Sequence, residues 1–132
     1  MRNIRIMYQY DGSKYYGFQR QKNKDTVQGD IEKIVFSKFN EKIKMTSSGR
    51  TDRGVHALGQ VSNFSISKRI PLDAIKQQIN KTLRGKVKIL SIEEIHADFN
   101  ARFDAKRRTY LYVLKSESKI TPFEAPYVTS IK

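Results

Sequence analysis

The stretch "SSGRTDRGVHALGQ", residues 47–60, contains the residue types of this sequence best suited to chemistry. Asp52 stands between Arg50 and Arg53, with glycines on both sides. A carboxylate near guanidinium groups stays ionised, and an ionised carboxylate can attack or stabilise a developing cation at a sugar carbon. Glycine also lets a backbone bend sharply and approach a ligand. The alternative is a hairpin turn in which Asp52 makes only local hydrogen bonds, and the residues alone leave the two interpretations nearly level.

A second cluster, "NARFDAKRRTYLY", places three cations directly before two alternating tyrosines, Tyr110 and Tyr112. Cations hold a nucleic-acid backbone, and stacking of an unpaired base on an aromatic ring contributes about 1–3 kcal/mol. Tyrosines that alternate on a strand fit core packing equally well, and Arg50 fits a simple phosphate contact. We expect His56 to be a structural, hydrogen-bonded residue and assign it no catalytic role.

Composition limits the other kinds of chemistry and indicates a partner. The sequence has no cysteine and two histidines, which excludes disulfides and thiolate chemistry and makes a histidine-rich metal site unavailable. Its net charge of +13 favours a polyanion as partner, although basic charge can also serve solubility alone. No apolar run approaches the roughly 20 residues of a membrane-spanning helix, and the first residues alternate basic and apolar types unlike a signal peptide. We therefore expect a cytoplasmic protein that binds nucleic acid and no membrane.

Hydrophobic periodicity predicts two helices and five strands. Thr26 is a suitable N-cap for a helix that ends near Asn40, and Pro71 is a suitable first residue for a second helix that stops before Gly85. The predicted strands are residues 3–10, 42–48, 58–66, 86–95 and 107–115. The loop with Asp52 then joins the second strand to the third.

The resulting order is β-α-β-β-α-β with an added strand. It predicts an α+β fold of ferredoxin-like type, similar to RNA-recognition modules, in which helices cover one face of an antiparallel sheet. Because unrelated functions share this fold, it does not identify the function. We predict one half-domain over residues 1–115 and a linker over residues 116–132.

Four segments, in this order, resemble the tRNA pseudouridine synthase A family: "YDGSKYYGFQRQ", "TVQGDIEK", "SSGRTDRGVHALGQVSNF" and "FNARFDAKRRTYLY". The resemblance covers about residues 4–115. It implies isomerisation of uridine to pseudouridine in the anticodon stem-loop of tRNA, at tRNA positions 38–40, without cofactor or metal. Such an enzyme breaks the bond from uracil to C1′ of the ribose, turns the base and rejoins it through C5.

The resemblance also implies roles for three residues. Asp52 matches the essential carboxylate, which attacks C1′ or C6 or deprotonates the sugar. Arg50 matches the arginine that helps flip the base and pairs with the aspartate. Tyr110 matches the tyrosine that stacks on the flipped uracil, a base that must leave its helix to react.

The family usually carries a second, similarly folded half that completes the cleft, and it usually forms homodimers. We expect this chain to be either the N-terminal catalytic half of a longer enzyme or a natural short form. Two other functions stay open from the sequence. One is a non-catalytic RNA-binding fragment, inactive without its second half; the other is a structural basic protein, such as a ribosome-associated one.

Overall fold

The computed structural model describes residues 1–19, 21, 24–51, 54–105 and 114–131 of the chain. These residues form two α-helices, six strands and three short 3₁₀ helices. The α-helices and strands are β1 Arg2–Tyr10, α1 Val27–Phe39, β2 Thr46–Ser47, β3 Ala57–Ile66, α2 Leu72–Thr82, β4 Val87–Ile95, β5 Leu114–Ser116 and β6 Thr129–Ile131. The 3₁₀ helices are Gly12–Lys14, Glu117–Lys119 and Ala125–Tyr127.

Four of the strands form one antiparallel sheet in the order β2-β3-β1-β4. β1 lies inside the sheet, where Asn3 is opposite both Ser65 of β3 and Ile95 of β4. Since α1 connects β1 to β2 and α2 connects β3 to β4, the order is βαββαβ. The predicted α+β class with a ferredoxin-like arrangement is confirmed.

The core lies between this sheet and the two helices. Alternate residues of β1, among them Ile4, Ile6 and Tyr8, are fully buried, as period-2 alternation predicts. Full burial of a side chain such as Ile contributes roughly 1.5–3 kcal/mol, so this apolar layer fixes which face of β1 meets the helices. The helices contribute to the same cluster mainly through Val27, Ile31, Val35, Ile75 and Ile79.

Both helices have the predicted positions. The Oγ1 atom of Thr26 accepts the backbone N–H of Gly29 at 3.2 Å, and α1 ends at Asn40 in the left-handed conformation that Asn tolerates better than most residues. In α2, Pro71 is the N-cap, so the helix begins at Leu72, one residue later than predicted. No helix in the described part of the chain is long and apolar enough to cross a membrane.

The predicted second strand, residues 42–48, is too long, because only Thr46 and Ser47 pair with β3. Ile43 and Met45 are buried and produced the alternation on which the prediction was based. The backbone N–H of Met45 donates to Oε2 of Glu32 at 3.0 Å. A side chain of α1 therefore satisfies a donor that a neighbouring strand would otherwise satisfy.

The predicted last strand, residues 107–115, lies mostly outside the described residues. The described part of the chain resumes with β5, which pairs in parallel with β6 to form a separate two-stranded sheet. Neither β6 nor the 3₁₀ helices between these strands were predicted from the sequence. The role of residues 116–132 as a linker stays a prediction.

Candidate active site

The candidate site residues predicted from the sequence lie in two segments, the Asp52 loop and the segment around Tyr110. The structure describes part of the first, including Arg50. Arg50 is exposed in the loop between β2 and β3. Asp52 and Arg53 lie outside the described residues, as do Tyr110, Tyr112 and the cations that precede them. The described geometry therefore concerns the residues that lead into Asp52 and those that follow Arg53.

The segment before Arg50 is held against β3. The backbone N–H of Ser48 donates to the carbonyl of Val61 at 2.9 Å. The side chain of Gln60 donates from Nε2 to the carbonyl of Gly49 at 2.9 Å, and its Oε1 accepts the hydroxyl of Ser48 at 2.8 Å. Two consecutive loop residues are thus bound to one buried amide.

Thr51, the residue directly before Asp52, is held on its other side by β1 and by the loop that follows β1. Its carbonyl accepts the backbone N–H of Phe18 at 3.1 Å, and its hydroxyl lies 2.7 Å from that of Tyr10. Burial raises the pKa of Tyr10, and hydrogen bonds from Thr51 and Gln60 partly oppose this shift. The phenol of Tyr10 therefore stays protonated and serves as a hydrogen-bonding anchor.

Beyond Arg53, the chain turns back and meets the end of β1. Gly54 has φ +82°, a conformation that suits glycine. The backbone of Val55 then lies so close to Gly12 that a Cβ at position 12 would overlap its carbonyl. Of the described glycines in residues 47–60, only Gly54 has a positive φ. Outside that stretch, Gly12 is required because the Val55 backbone leaves no room for a Cβ.

His56 joins this turn to the C-terminal segment. Its Nδ1 accepts the backbone N–H of Gly12 at 2.8 Å, so in the neutral ring Nε2 carries the proton and donates to the carbonyl of Pro126 at 2.6 Å. The ring of Tyr127 lies 5.0 Å from the His56 ring, and its hydroxyl donates to Oδ2 of Asp11 at 2.7 Å. The structural role expected for His56 agrees with these contacts.

A cavity of about 440 Å³ opens beside Arg50. Lys24 lies 5.7 Å above the ring of Tyr16, and this tyrosine is 45% exposed. A planar ring beside cationic groups can hold a base by stacking and a phosphate by charge. The cavity is lined by Tyr16, Gly17, Phe18, Gln19, Gln21, Lys24, Arg50 and Thr51.

Six residues of this arrangement were not predicted as functional: Tyr10, Tyr16, Lys24, Thr51, Gln60 and Tyr127. Gln60 carried a usable signal, because it alternates with Ser62, Phe64 and Ile66 on the buried face of β3, and the last two of these are apolar. A polar residue at such a position needs a hydrogen-bond partner. Tyr127 carried no local signal, since its partners are far away in sequence.

Comparison with known proteins places this arrangement in a family. The family model described as "tRNA pseudouridine synthase" matches residues 6–104. This range contains the Asp52 loop and, apart from the first four residues of β1, the whole βαββαβ unit. The chain therefore belongs to the tRNA pseudouridine synthase family.

Individual relatives agree with this result. The chain is 44% identical over 128 residues to "tRNA pseudouridine synthase A" of Solibacter usitatus, covering 97% of this chain and 53% of the relative. The protein of the same name from Caldicellulosiruptor bescii is 44% identical over 114 residues, covering 86% of this chain and 47% of the relative. That of Brachyspira hyodysenteriae is 44% identical over 128 residues, covering 96% and 51%. The chain spans about half the length of the curated relatives it matches.

Proposed function

We propose that this chain is the catalytic half of an isomerase that converts uridine to pseudouridine in tRNA. The main support for the proposal is that the residues directly before Asp52 are held in place by hydrogen bonds. Arg50 lines a cavity with an exposed tyrosine and a lysine, and Thr51 is fixed by two hydrogen bonds. Membership of the tRNA pseudouridine synthase family supports this reaction.

The reaction leaves the atomic composition of the substrate unchanged. The bond between N1 of uracil and C1′ breaks, a bond between C5 and C1′ forms, the C5 proton leaves, and a proton ends on N1. Because oxidation state does not change, the step needs no redox partner. In our proposal the Asp52 carboxylate is the essential group, acting on C1′ or C6 or as a base on the sugar.

A uridine stacked inside a stem must first leave the helix, which costs a few kcal/mol. We propose that Arg50 helps to displace the base and pairs with Asp52, and that Tyr110 stacks on the displaced uracil. The cavity beside Arg50 supports this proposal, because it combines a planar ring with positive charge close to the Asp52 segment. A net charge of +13 supplies attraction to the phosphate backbone.

We further propose the anticodon stem-loop as the part of tRNA that is modified, and the cytoplasm as the place of action. A homodimer of the complete protein is part of the same proposal. These statements rest on the family motifs around Asp52 and on the charge of the chain.

The test uses the complete protein as its gene encodes it and an unmodified tRNA transcript labelled with tritium at C5 of uridine. Isomerisation releases this tritium to water. Asp52→Ala is expected to lower the rate about 10³-fold or more, as removal of an essential carboxylate does in other enzymes. Asp73→Ala, which removes an exposed carboxylate from the first turn of α2, is the control and should keep the wild-type rate. Equal tritium release by the wild type and Asp52→Ala would overturn the catalytic proposal.

Arg50 is tested in the same assay. Arg50→Ala is expected to lower the rate about a hundredfold, whereas Arg84→Ala, which removes an equally exposed positive charge near the end of α2, should change it less than about threefold. Equal losses in the two variants would indicate a general effect of charge and not a role at the site.

A second function, RNA binding without catalysis, is favoured for the 132 residues alone by one observation: they span about half the length of the relatives. Under this function the isolated chain binds tRNA but forms no pseudouridine, and Asp52→Ala leaves its affinity intact or improved. Arg50→Ala and Tyr110→Ala would weaken its binding. Tritium release by the 132-residue chain would exclude this function.

A further inference from the structure

Gln60 occupies a position that packing does not explain. It lies on β3 with only 6% of its surface exposed, on the face of the sheet where the same strand further along buries Phe64 and Ile66. A buried amide must have its polar atoms satisfied, and an apolar residue of similar size would fill the space without that requirement. The partners of the amide therefore indicate what it does.

Those partners belong mainly to the loop that leads to Asp52. Nε2 of Gln60 donates to the carbonyl of Gly49 at 2.9 Å. Oε1 accepts the hydroxyl of Ser48 at 2.8 Å and the backbone N–H of Val61 at 3.2 Å. Apart from the bond to its own neighbour on β3, the amide is used to fix residues 48 and 49.

The hydroxyl of Tyr10 fixes the same loop on the other side of Arg50, through Thr51 at 2.7 Å. Arg50 is exposed, whereas Gly49 and Thr51 are both bound to the sheet by side chains. The loop thus has fixed residues on each side of the arginine and directly before the aspartate.

We propose that Gln60 is a positioning residue for the reaction: its amide holds Gly49 so that Arg50 and the following Asp52 meet the substrate in one geometry. This inference rests on the proposed function. A shift of about 1 Å in a catalytic group can lower a rate a hundredfold, so loss of the bond to Gly49 should act mainly on kcat. Affinity for tRNA, which comes largely from phosphate contacts spread over the molecule, should change little.

The decisive variant is Gln60→Glu in the complete protein. An ionised carboxylate of nearly the same shape cannot donate to the Gly49 carbonyl, whereas a protonated one can donate to it and still accept from Ser48. Burial raises the pKa of a carboxyl group, so we expect a large effect at pH 8 and partial recovery at pH 6. The expected result at pH 8 is a kcat lower by about 10- to 100-fold, with KM for tRNA within about twofold of the wild type.

Asn80 offers a matched control. Its amide joins α2 to β4 in the same manner, donating to the carbonyl of Ile89 at 3.1 Å and accepting the N–H of Ile89 at 2.6 Å. Asn80→Asp therefore loses one donor from an amide-to-backbone contact that is not part of the loop. It should keep kcat within about twofold of the wild type, at a temperature where both variants are folded.

Hydrogen exchange gives a readout that does not depend on catalysis. Gln60→Glu at pH 8 should increase exchange about tenfold at the amides of residues 48–51, and Asn80→Asp should leave these amides unchanged. Wild-type kcat in Gln60→Glu at pH 8, unchanged exchange in the loop, or an equal loss of kcat in Asn80→Asp would each overturn the inference. Failure of the wild type to release tritium would instead overturn the proposed function, and the exchange result would still decide whether Gln60 holds the loop.

Discussion

Asp11 accepts three hydrogen bonds at the point where β1 ends. The backbone N–H and the hydroxyl of Ser13 donate to Oδ1, and the hydroxyl of Tyr127 donates to Oδ2. Partial burial acts to raise the pKa of Asp11, but these hydrogen bonds, together with the nearby His56, outweigh it and the pKa lies below its ordinary value. The ionised carboxylate is therefore bound better in the folded protein than in the unfolded chain.

This shift predicts a pH-dependent effect of Asp11→Asn on stability. Because the folded pKa is below the unfolded one, the carboxylate stabilises the protein above about pH 4 and loses this contribution as the pH falls through the folded pKa. Asp11→Asn should lower the free energy of unfolding by about 1 kcal/mol at pH 7, and by much less at pH 3. Urea unfolding at both pH values measures the difference.

Asp98, which is exposed, provides the comparison for that experiment. Asp98→Asn should change the free energy of unfolding by less than about 0.5 kcal/mol at either pH. An Asp11→Asn effect that grows on acidification, or that is absent at pH 7, would contradict the sign derived from the hydrogen bonds.

At the scale of elements, the backbone of Gly12, just after β1, packs directly against the backbone of Val55, in the turn after Arg53. A Cβ at Gly12 would overlap the carbonyl of Val55, and neither backbone can yield as a flexible side chain would. Gly12→Ala should lower the free energy of unfolding by about 2 kcal/mol or more and also reduce pseudouridine formation, because it displaces the loop that carries Asp52. Urea unfolding and tritium release measure the two effects.

Gly49→Ala is the matched control, since no described atom beyond its chain neighbours lies within 4 Å of a Cβ built there and its φ is not positive. It should change the free energy of unfolding by no more than about 1 kcal/mol. A small increase is expected, because alanine has fewer conformations than glycine in the unfolded chain. Similar losses at positions 12 and 49 would show that steric overlap at Gly12 does not decide the outcome.

The elements also show what the sequence could predict. β1, α1, β3, α2 and β4 lie within one or two residues of their predicted bounds, because each buries one face and so carries a period of 2.0 or 3.6 in its own residues. β2 was predicted too long, because burial of Ile43 and Met45 resembles strand alternation without a strand partner. β6 was missed because its three residues, Thr129–Ile131, are too few to show the period of a strand.

Of the three predicted site residues, the structure describes only Arg50. Its type and spacing fitted a phosphate contact as well as a catalytic role, and the resemblance to the family motif singled it out; the structure places it beside a cavity. Asp52 and Tyr110 stay predictions. Tyr10 and Gln60 were taken only as parts of strands, because a residue's partner across the sheet is not encoded in its immediate neighbours.

At the scale of the whole molecule, charge determines how RNA binding responds to salt. A protein that neutralises about six phosphates loses roughly a thousandfold in affinity between 50 and 200 mM salt. With 26 basic against 13 acidic residues, this chain should show a loss of about 10²- to 10³-fold for tRNA over that range. Filter binding at several salt concentrations gives the slope.

Two paired variants show which cations contribute to that slope. Lys24→Ala with Arg50→Ala removes two charges from the cavity and should lower the slope by about 2. Lys81→Ala with Arg84→Ala removes two exposed charges around the end of α2 and should lower it by less than about 1. A larger change from the second pair would place the main RNA contact away from the cavity.

The inner position of β1 has a consequence for the synthesis of the protein. β1 is made before the other strands of its sheet, yet its partners are β3 and β4, and Asn3 is opposite Ile95. On the ribosome, β1 has neither neighbour until β3 emerges, and it keeps one unpaired edge until β4 follows. During that interval its buried residues, Ile4, Ile6 and Tyr8, are exposed on an unpaired strand, the kind of segment that chaperones protect from aggregation.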